Sequence, residues 1–210
     1  EKCVFGVPAG KLLGFIISNR GIEANPAKIR ALSQLAKPTD LKQVQKLAGC
    51  VAALSRFISR LGEKALPLYR LLRRTDHFEW TDAATAGLEE IKTLLASNPI
   101  LAAPNAGEPM LLYISATHQV VSAVLVVERE QDGHKFPLQK PVYYVSTVLT
   151  PCKSRYPHYQ KIAYAVFMAS RKLRHYFQEC SITVASEVPL NDIINNRDAT
   201  GRLPNGPLNS

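Results

Sequence analysis

Two apolar runs rich in β-branched and aromatic residues, Met110 to Ile114 and Val120 to Val127, flank the short polar link Ser115 to Gln119, and this pairing constrains the fold more than any other stretch. A β-hairpin is its simplest account. Asp132-Gly133, within EREQDGHK, marks a second tight turn, since Gly and Asp accept the positive φ that such turns need. Pro141 to Ser146, PVYYVS, then supplies a third strand. The basic segment RYPHYQKIAYAVFMASRKLRHYF follows as an amphipathic helix. In it Ile162, Val166, Ser170, Leu173 and Phe177 recur at spacings of three and four, the stripe a helix buries on a sheet. SITVAS reads as one more strand.

The N-terminal part has a different pattern. Cys3 to Val7 and Leu12 to Ile17 are two short apolar runs separated by Pro8-Ala9-Gly10, which predicts a hairpin turning there. Asn25-Pro26 starts a helix over 27–35, with Asn25 as its cap. Thr39 is expected to cap a longer one from Asp40 to about Leu61, buried along Leu41, Val44, Ala48, Val51, Ser55 and Ile58. Lys42, Lys46, Arg56 and Arg60 lie largely elsewhere around it, and Gln45, Gly49 and Ala53, four apart, share a face. Glycine in mid-helix costs about 1 kcal/mol relative to Ala. Either close helix packing or close approach of a ligand would account for Gly49. A further short helix ends in the basic cluster Tyr69-Arg70-Leu71-Leu72-Arg73-Arg74, Trp80 is expected as an inter-helix anchor, and Thr81 or Asp82 caps a helix to about Ala96. Residues 99–109, with three prolines and a glycine, read as a linker, and 197–210, rich in Pro, Gly, Asn and Asp, as disordered.

Three strands, a basic amphipathic helix, the strand SITVAS and the segment EVPLNDII together resemble the ribonuclease H-like domain of Ty3/gypsy-type retrotransposon Pol polyproteins, most of all the plant elements. The resemblance implies an α/β fold: an N-terminal β-hairpin and helical thumb, then a mixed sheet of three antiparallel strands, a helix, a parallel strand and a helix. The units would be 1–24 (end of the reverse-transcriptase palm), 25–98 (thumb), 99–109 (linker), 110–196 (ribonuclease H-like) and 197–210 (tail). K-C-x-F followed by L-G-F-x-I-S is similar to the last palm hairpin, which implies that Leu13, Gly14 and Phe15 lie against the primer backbone. VQKLAGCVAALSRFI is similar to the thumb helix that follows the duplex minor groove. A duplex surface of Lys42, Gln45, Lys46, Gly49, Arg56 and Arg60 is therefore expected.

At the nuclease positions the sequence departs from active relatives. Ser115 stands where their first strand carries a metal-binding Asp, Ile162 where the helix carries a Glu, and Glu187 where the third acid falls. Active relatives use Mg²⁺ pairs about 3.5–4 Å apart held by convergent carboxylates. One Glu does not replace that set, so no metal or other cofactor is expected and catalysis is expected to be lost. An active ribonuclease H rebuilt around Glu187 and Asp192, and a spacer domain without nucleic-acid contact, are the alternatives. Polymerisation would need paired aspartates, and no Asp-Asp pair occurs.

The formal charge of +9 is concentrated N-terminally: residues 1–80 hold 14 Lys+Arg against 6 Asp+Glu, whereas 81–210 hold 12 against 11. Such a surface suits a polyanion, because each neutralised phosphate releases condensed counterions, although dispersed solvated charge is the plainer account. The partners implied are an RNA/DNA or DNA duplex and neighbouring Pol domains. Cys3, Cys50, Cys152 and Cys180 form no metal-finger spacing, and His118 and His158 read as surface residues. With no signal-peptide pattern and no apolar run near the length of about 18 residues that a span needs, an intracellular chain is expected, cytoplasmic or nuclear, with no membrane partner.

Overall fold

A computed structural model describes residues 9–12, 14–73, 78–188 and 190. Expectations for residues 1–8, Leu13, 74–77, Pro189 and 191–210, the C-terminal tail among them, lie outside the described residues.

The chain forms two four-stranded sheets. The first is an antiparallel meander, β1 (Ala9–Leu12), β2 (Phe15–Ser18) and β3 (Gly21–Ala24), extended by β4 (Ile100–Leu101). Its first turn is not at Pro8 to Gly10. Leu12 pairs with Phe15 and Gly14 has φ +84°, so the chain reverses between those two partners, with Gly14 in the turn. A two-residue connection needs positive φ, which glycine adopts freely and a proline ring forbids. The stretch 99–109, expected as a linker, gives its first residues to this sheet: Leu101 pairs with Ile22 and is fully buried.

Among the described residues, five helices and one 3-10 turn lie between β3 and β4 in the chain and share a core with the first sheet. Helix α1 (Pro26–Ser33) starts as expected, Asn25 Oδ1 accepting from the Ala27 N–H at 2.9 Å. Helix α2 (Leu41–Ala53) is capped by Asp40 rather than Thr39. Asp40 Oδ1 accepts from the Gln43 N–H at 2.8 Å, and Gln43 reaches back to the N–H and hydroxyl of Thr39. The expected continuation to Leu61 does not occur. A 3-10 turn (Ser55–Phe57) and Arg60 at φ +52° interrupt it before α3 (Leu61–Lys64). No Pro or Gly stands in 54–60, so the break is tertiary in origin: Phe57 and Ile58 turn into the core while the Arg56 guanidinium stacks on Phe15 and Tyr143. Helices α4 (Leu66–Leu71) and α5 (Asp82–Ala96) complete the bundle. Trp80 packs on its core and donates from Nε1 to Thr85 Oγ1 at 2.8 Å, as an inter-helix anchor would.

The second sheet has the order β7-β6-β5-β8, where β5 (Met110–Ala116), β6 (Val120–Arg129) and β7 (Leu138–Val148) are antiparallel and β8 (Ile182–Ala185) runs parallel to β5. This is the expected mixed α/β arrangement. Helices α6 (Pro151–Ser154), α7 (His158–Lys172) and α8 (Arg174–Glu179) precede β8, the expected single helix breaking at Leu173. Helix α7 covers the face that carries Leu112, Ile114, Ala123 and Leu125. Its buried stripe is Ile162, Ala165, Ala169 and Leu173, so the expected Val166 and Ser170 are only half-buried. Alanine at the line of contact lets the helix axis approach the sheet closely, which displaces the bulkier Val166 to the flank.

The opposite face of the sheet receives the helical bundle. The Gly62 N–H of α3 donates to Ser146 Oγ at 2.8 Å, and a Cβ on Gly62 would sit 2.7 Å from both that oxygen and Val120 Cγ1. At Gly62 the bundle and the sheet therefore meet backbone against side chain with no room for a Cβ.

Candidate nucleic-acid interface

Helix α2 buries Val44, Leu47 and Val51 inside the bundle, which leaves Lys42, Gln45, Lys46 and Gly49 exposed. These residues recur at three- and four-residue intervals and so form one outward surface. Nothing lies within 4 Å of a Cβ built on Gly49. Close helix packing is thus not the reason for this glycine. Among the described residues neither Lys42 nor Lys46 pairs with a carboxylate. What the surface offers is two free ammonium groups, an amide and a bare stretch of helix backbone.

The other expected contact residues are arranged differently. Leu13 lies outside the described residues, whereas Gly14 stands in the turn before β2 and Phe15 begins that strand beside α1. Lys28 closes over them, its Nζ 2.6 Å from a would-be Gly14 Cβ and 5.6 Å from the Phe15 ring centroid. Phe15 is half-buried and packs on Phe57 with centroids 5.7 Å apart. Arg56 is stacked 5.0 Å from Phe15 and 4.6 Å from Tyr143, and its buried Nε has no acceptor among the described residues. That cation joins the first sheet to the second. Arg60 forms a two-pronged ion pair with Glu63, whose hydrogen bond and charge raise the arginine pKa. The structure accordingly gathers Lys42, Gln45, Lys46 and Gly49 on one surface, places Arg56 in a half-buried stack and pairs the exposed Arg60 with Glu63.

At the nuclease positions, Ser115 lies near the end of β5, exposed, between Ile114 and Ala116 whose side chains pack with α7. Ile162, one turn into α7, is buried. The last pair between β5 and β8 is Tyr113 with Ala185, so Glu187 follows two residues later at the same edge as Ser115 and is exposed. Topology thus assembles a strand end, a helix and a second strand end, but the side chains there are a hydroxyl, an alkyl group and one carboxylate. Hard cations such as Mg²⁺ take oxygen ligands, chiefly carboxylates, and the described residues at these three positions do not by themselves fit a two-metal centre. Among the described residues no three His, Cys, Asp or Glu side chains are placed to hold an ion. The turn beside Ser115 is tied down by Lys161, itself buried, which donates to the His118 carbonyl at 3.1 Å.

Residues 80–184 match the family model of the RNase H-like domain found in reverse transcriptase. The chain belongs to this family. The match opens at Trp80 and so takes in α5 and β4 as well as the second sheet of this RNase H-like chain. Among curated proteins, the Transposon Tf2-3 and Tf2-4 polyproteins of Schizosaccharomyces pombe are each 26% identical over 204 residues, 97% of this chain and 14% of the polyprotein. The chain therefore spans about a seventh of the length of those retrotransposon relatives. The structure of the foamy viral protease-reverse transcriptase in complex with RNA/DNA hybrid superposes with a TM-score of 0.74 at 20% identity, covering 94% of this chain and 26% of that one. The dRH form in complex with ds DNA gives 0.73 at 22% identity, covering 89% and 32%. These likenesses establish the fold. Among the described residues no helix is long and apolar enough to cross a membrane.

Two groups that matter to the surface escape sequence reasoning. Lys28 carries no motif, and its approach to Gly14 follows from how α1 packs. Arg70 and Arg73 are legible as a basic cluster, but nothing local shows that the turn between β5 and β6 lies beside them, where Arg70 donates to Gln119 Oε1 at 2.6 Å.

Proposed function

We propose that this chain is a non-catalytic segment of a plant gypsy-type retrotransposon Pol, comprising the end of the palm (1–24), the thumb (25–98), a connector (99–109) and a degenerate RNase H-like unit (110–196) that orients neighbouring domains. Its activity is to hold a template-primer duplex, RNA/DNA or DNA, along the outward surface of α2, with Gly14 and Phe15 as a further contact. The observation that carries this reading is the vacancy beside Gly49, a helix surface with two unpaired lysines and no internal packing partner. A residue without Cβ lets a sugar-phosphate chain approach the helix backbone, Gln45 supplies a hydrogen-bonding amide for base edges, and the ammonium groups neutralise phosphates. The solved relatives bound to RNA/DNA hybrid and ds DNA support the same reading. The loss of hydrolysis rests on the donor set at Ser115, Ile162 and Glu187, which calls for no resident cofactor.

Fluorescence anisotropy with a labelled duplex at low salt tests the binding. Lys42→Ala with Lys46→Ala is expected to weaken affinity and to flatten the salt dependence by about two charge contacts. A chain without affinity, or one indifferent to both substitutions, would overturn the proposal. Magnesium-dependent cleavage of an RNA/DNA hybrid that Glu187→Gln abolishes would overturn its non-catalytic part.

A further inference from the structure

Where α4 meets the second sheet, the chain encloses an open cavity of about 190 Å³ lined by Tyr69, Arg70 and Arg73 on one side and by Gln119, Leu149 and Ser154 on the other. Arg70 and Arg73 are exposed at its rim, and among the described residues neither meets a carboxylate. Gln119 Oε1 accepts from one Arg70 nitrogen, which fixes the guanidinium plane across the gap and leaves its other N–H groups undirected. Tyr69 is half-buried, and burial pushes its hydroxyl pKa up, so the phenol remains a neutral donor. Val148 and the exposed ring of Pro151 make part of the wall apolar, and Ser154 uses its own proton on the Pro151 carbonyl. The donors therefore come from the α4 side and a shallow apolar surface from the other.

We infer that this cavity is a second nucleic-acid contact, which takes one backbone phosphodiester between Arg70 and Arg73 with its sugar against Pro151. The inference rests on the duplex-binding reading and adds a contact that α2 does not supply. Two guanidinium forks that meet no carboxylate among the described residues match the bidentate geometry of phosphate oxygens, and a cavity larger than a single water site admits the phosphate with part of its sugar. The N-terminal concentration of positive charge favours a polyanion over an isolated small anion. Because α4 and the turn between β5 and β6 both line the cavity, a strand held there would touch the helical bundle and the RNase H-like sheet at once.

The test is the salt dependence of duplex binding by the whole chain, measured by anisotropy for wild type, Arg70→Gln with Arg73→Gln, and Lys42→Ala with Lys46→Ala. For the arginine pair we expect affinity at low salt to fall on the order of tenfold and the slope of log K against log salt to lose about two contacts. An unchanged slope in the arginine pair, with the lysine pair still weakened, would overturn the cavity contact and leave the α2 reading standing. A flattened slope in the arginine pair alone would overturn the α2 reading and keep the cavity. Should the double variant fold poorly by circular dichroism, Arg73→Gln alone, on an exposed residue, is expected to remove about one contact. Inorganic phosphate is the control for a free anion. Saturable arginine side-chain NMR shifts on adding it, with duplex slopes unchanged, would assign the cavity to a small ligand and overturn the inference.

Discussion

Of the two regions to which the family resemblance assigns nucleic-acid contact, the outward surface of α2 presents its polar side chains to solvent, whereas the corner where β5, α7 and β8 meet buries Ile162. On α2 the chain keeps a glycine whose absent side chain relieves no internal clash, at a cost of about 1 kcal/mol in an exposed helix, together with two unpaired lysines. At the corner, an isoleucine stands where a charged ligand would be exposed to a metal, and its burial contributes roughly 2 kcal/mol. A costly feature without an internal partner points outward. A position that gains stability by facing inward has been absorbed into the core.

The contrast breaks most readily at Ile162. Ile162→Glu returns the acid of active relatives to a buried site with no ion to meet it, and the unpaired carboxylate should cost about 3 kcal/mol or more. Urea unfolding followed by circular dichroism measures it. If Ser115→Asp is then added and millimolar Mg²⁺ restores much of the loss, the corner still holds its ancestral geometry. A loss under about 1 kcal/mol without metal would mean that Ile162 is not core, and the comparison would fail.

Gly49→Ala sharpens the other half because stability and binding should move in opposite directions. The added methyl meets nothing within 4 Å, so the helix should gain about 0.5–1 kcal/mol while duplex affinity drops several-fold. Thermal melts and anisotropy read the two effects on one sample. Stabilisation with unchanged affinity would leave the glycine without a ligand-facing role.

How far the sequence announces these arrangements depends on how local their causes are. The hairpin of β5 and β6 is written in its β-branched runs, and the caps at Asn25 and Thr81 in single side chains, so all three occur where they are read. The break after Ala53 carries no local mark. It arises because Arg56 stacks on Phe15 and Tyr143, which are distant in sequence. The phase of α7 misleads for a related reason: periodicity weights large side chains, whereas the contact line is chosen by Ala165 and Ala169. β4 is hidden because two residues between a helix and a proline-rich stretch give no period to detect. At the candidate site, the exposure of Lys42, Gln45, Lys46 and Gly49 follows from the helical period, but that Arg56 is stacked between two aromatic rings and Arg60 is paired with Glu63 does not.

The smallest effect concerns the acid that the second sheet retains at the end of β5 and β6 opposite Ser115. Arg129 donates from two nitrogens to Glu108, each bond 2.8 Å, and the Asn105 N–H adds a third at 2.7 Å. The Arg129 hydrogen bond is the main reason the Glu108 pKa lies below its ordinary value, with the Asn105 bond assisting and burial opposing. A carboxyl whose folded pKa is depressed contributes its stability above the unfolded pKa and loses it as pH falls through the folded one. Glu108→Gln should therefore cost about 1 kcal/mol at pH 7, and the gap from wild type should close below about pH 4. Denaturant melts at the two pH values separate the cases: a gap that persists in acid would show that the glutamate acts by packing, and that neither end of the hairpin depends on charge.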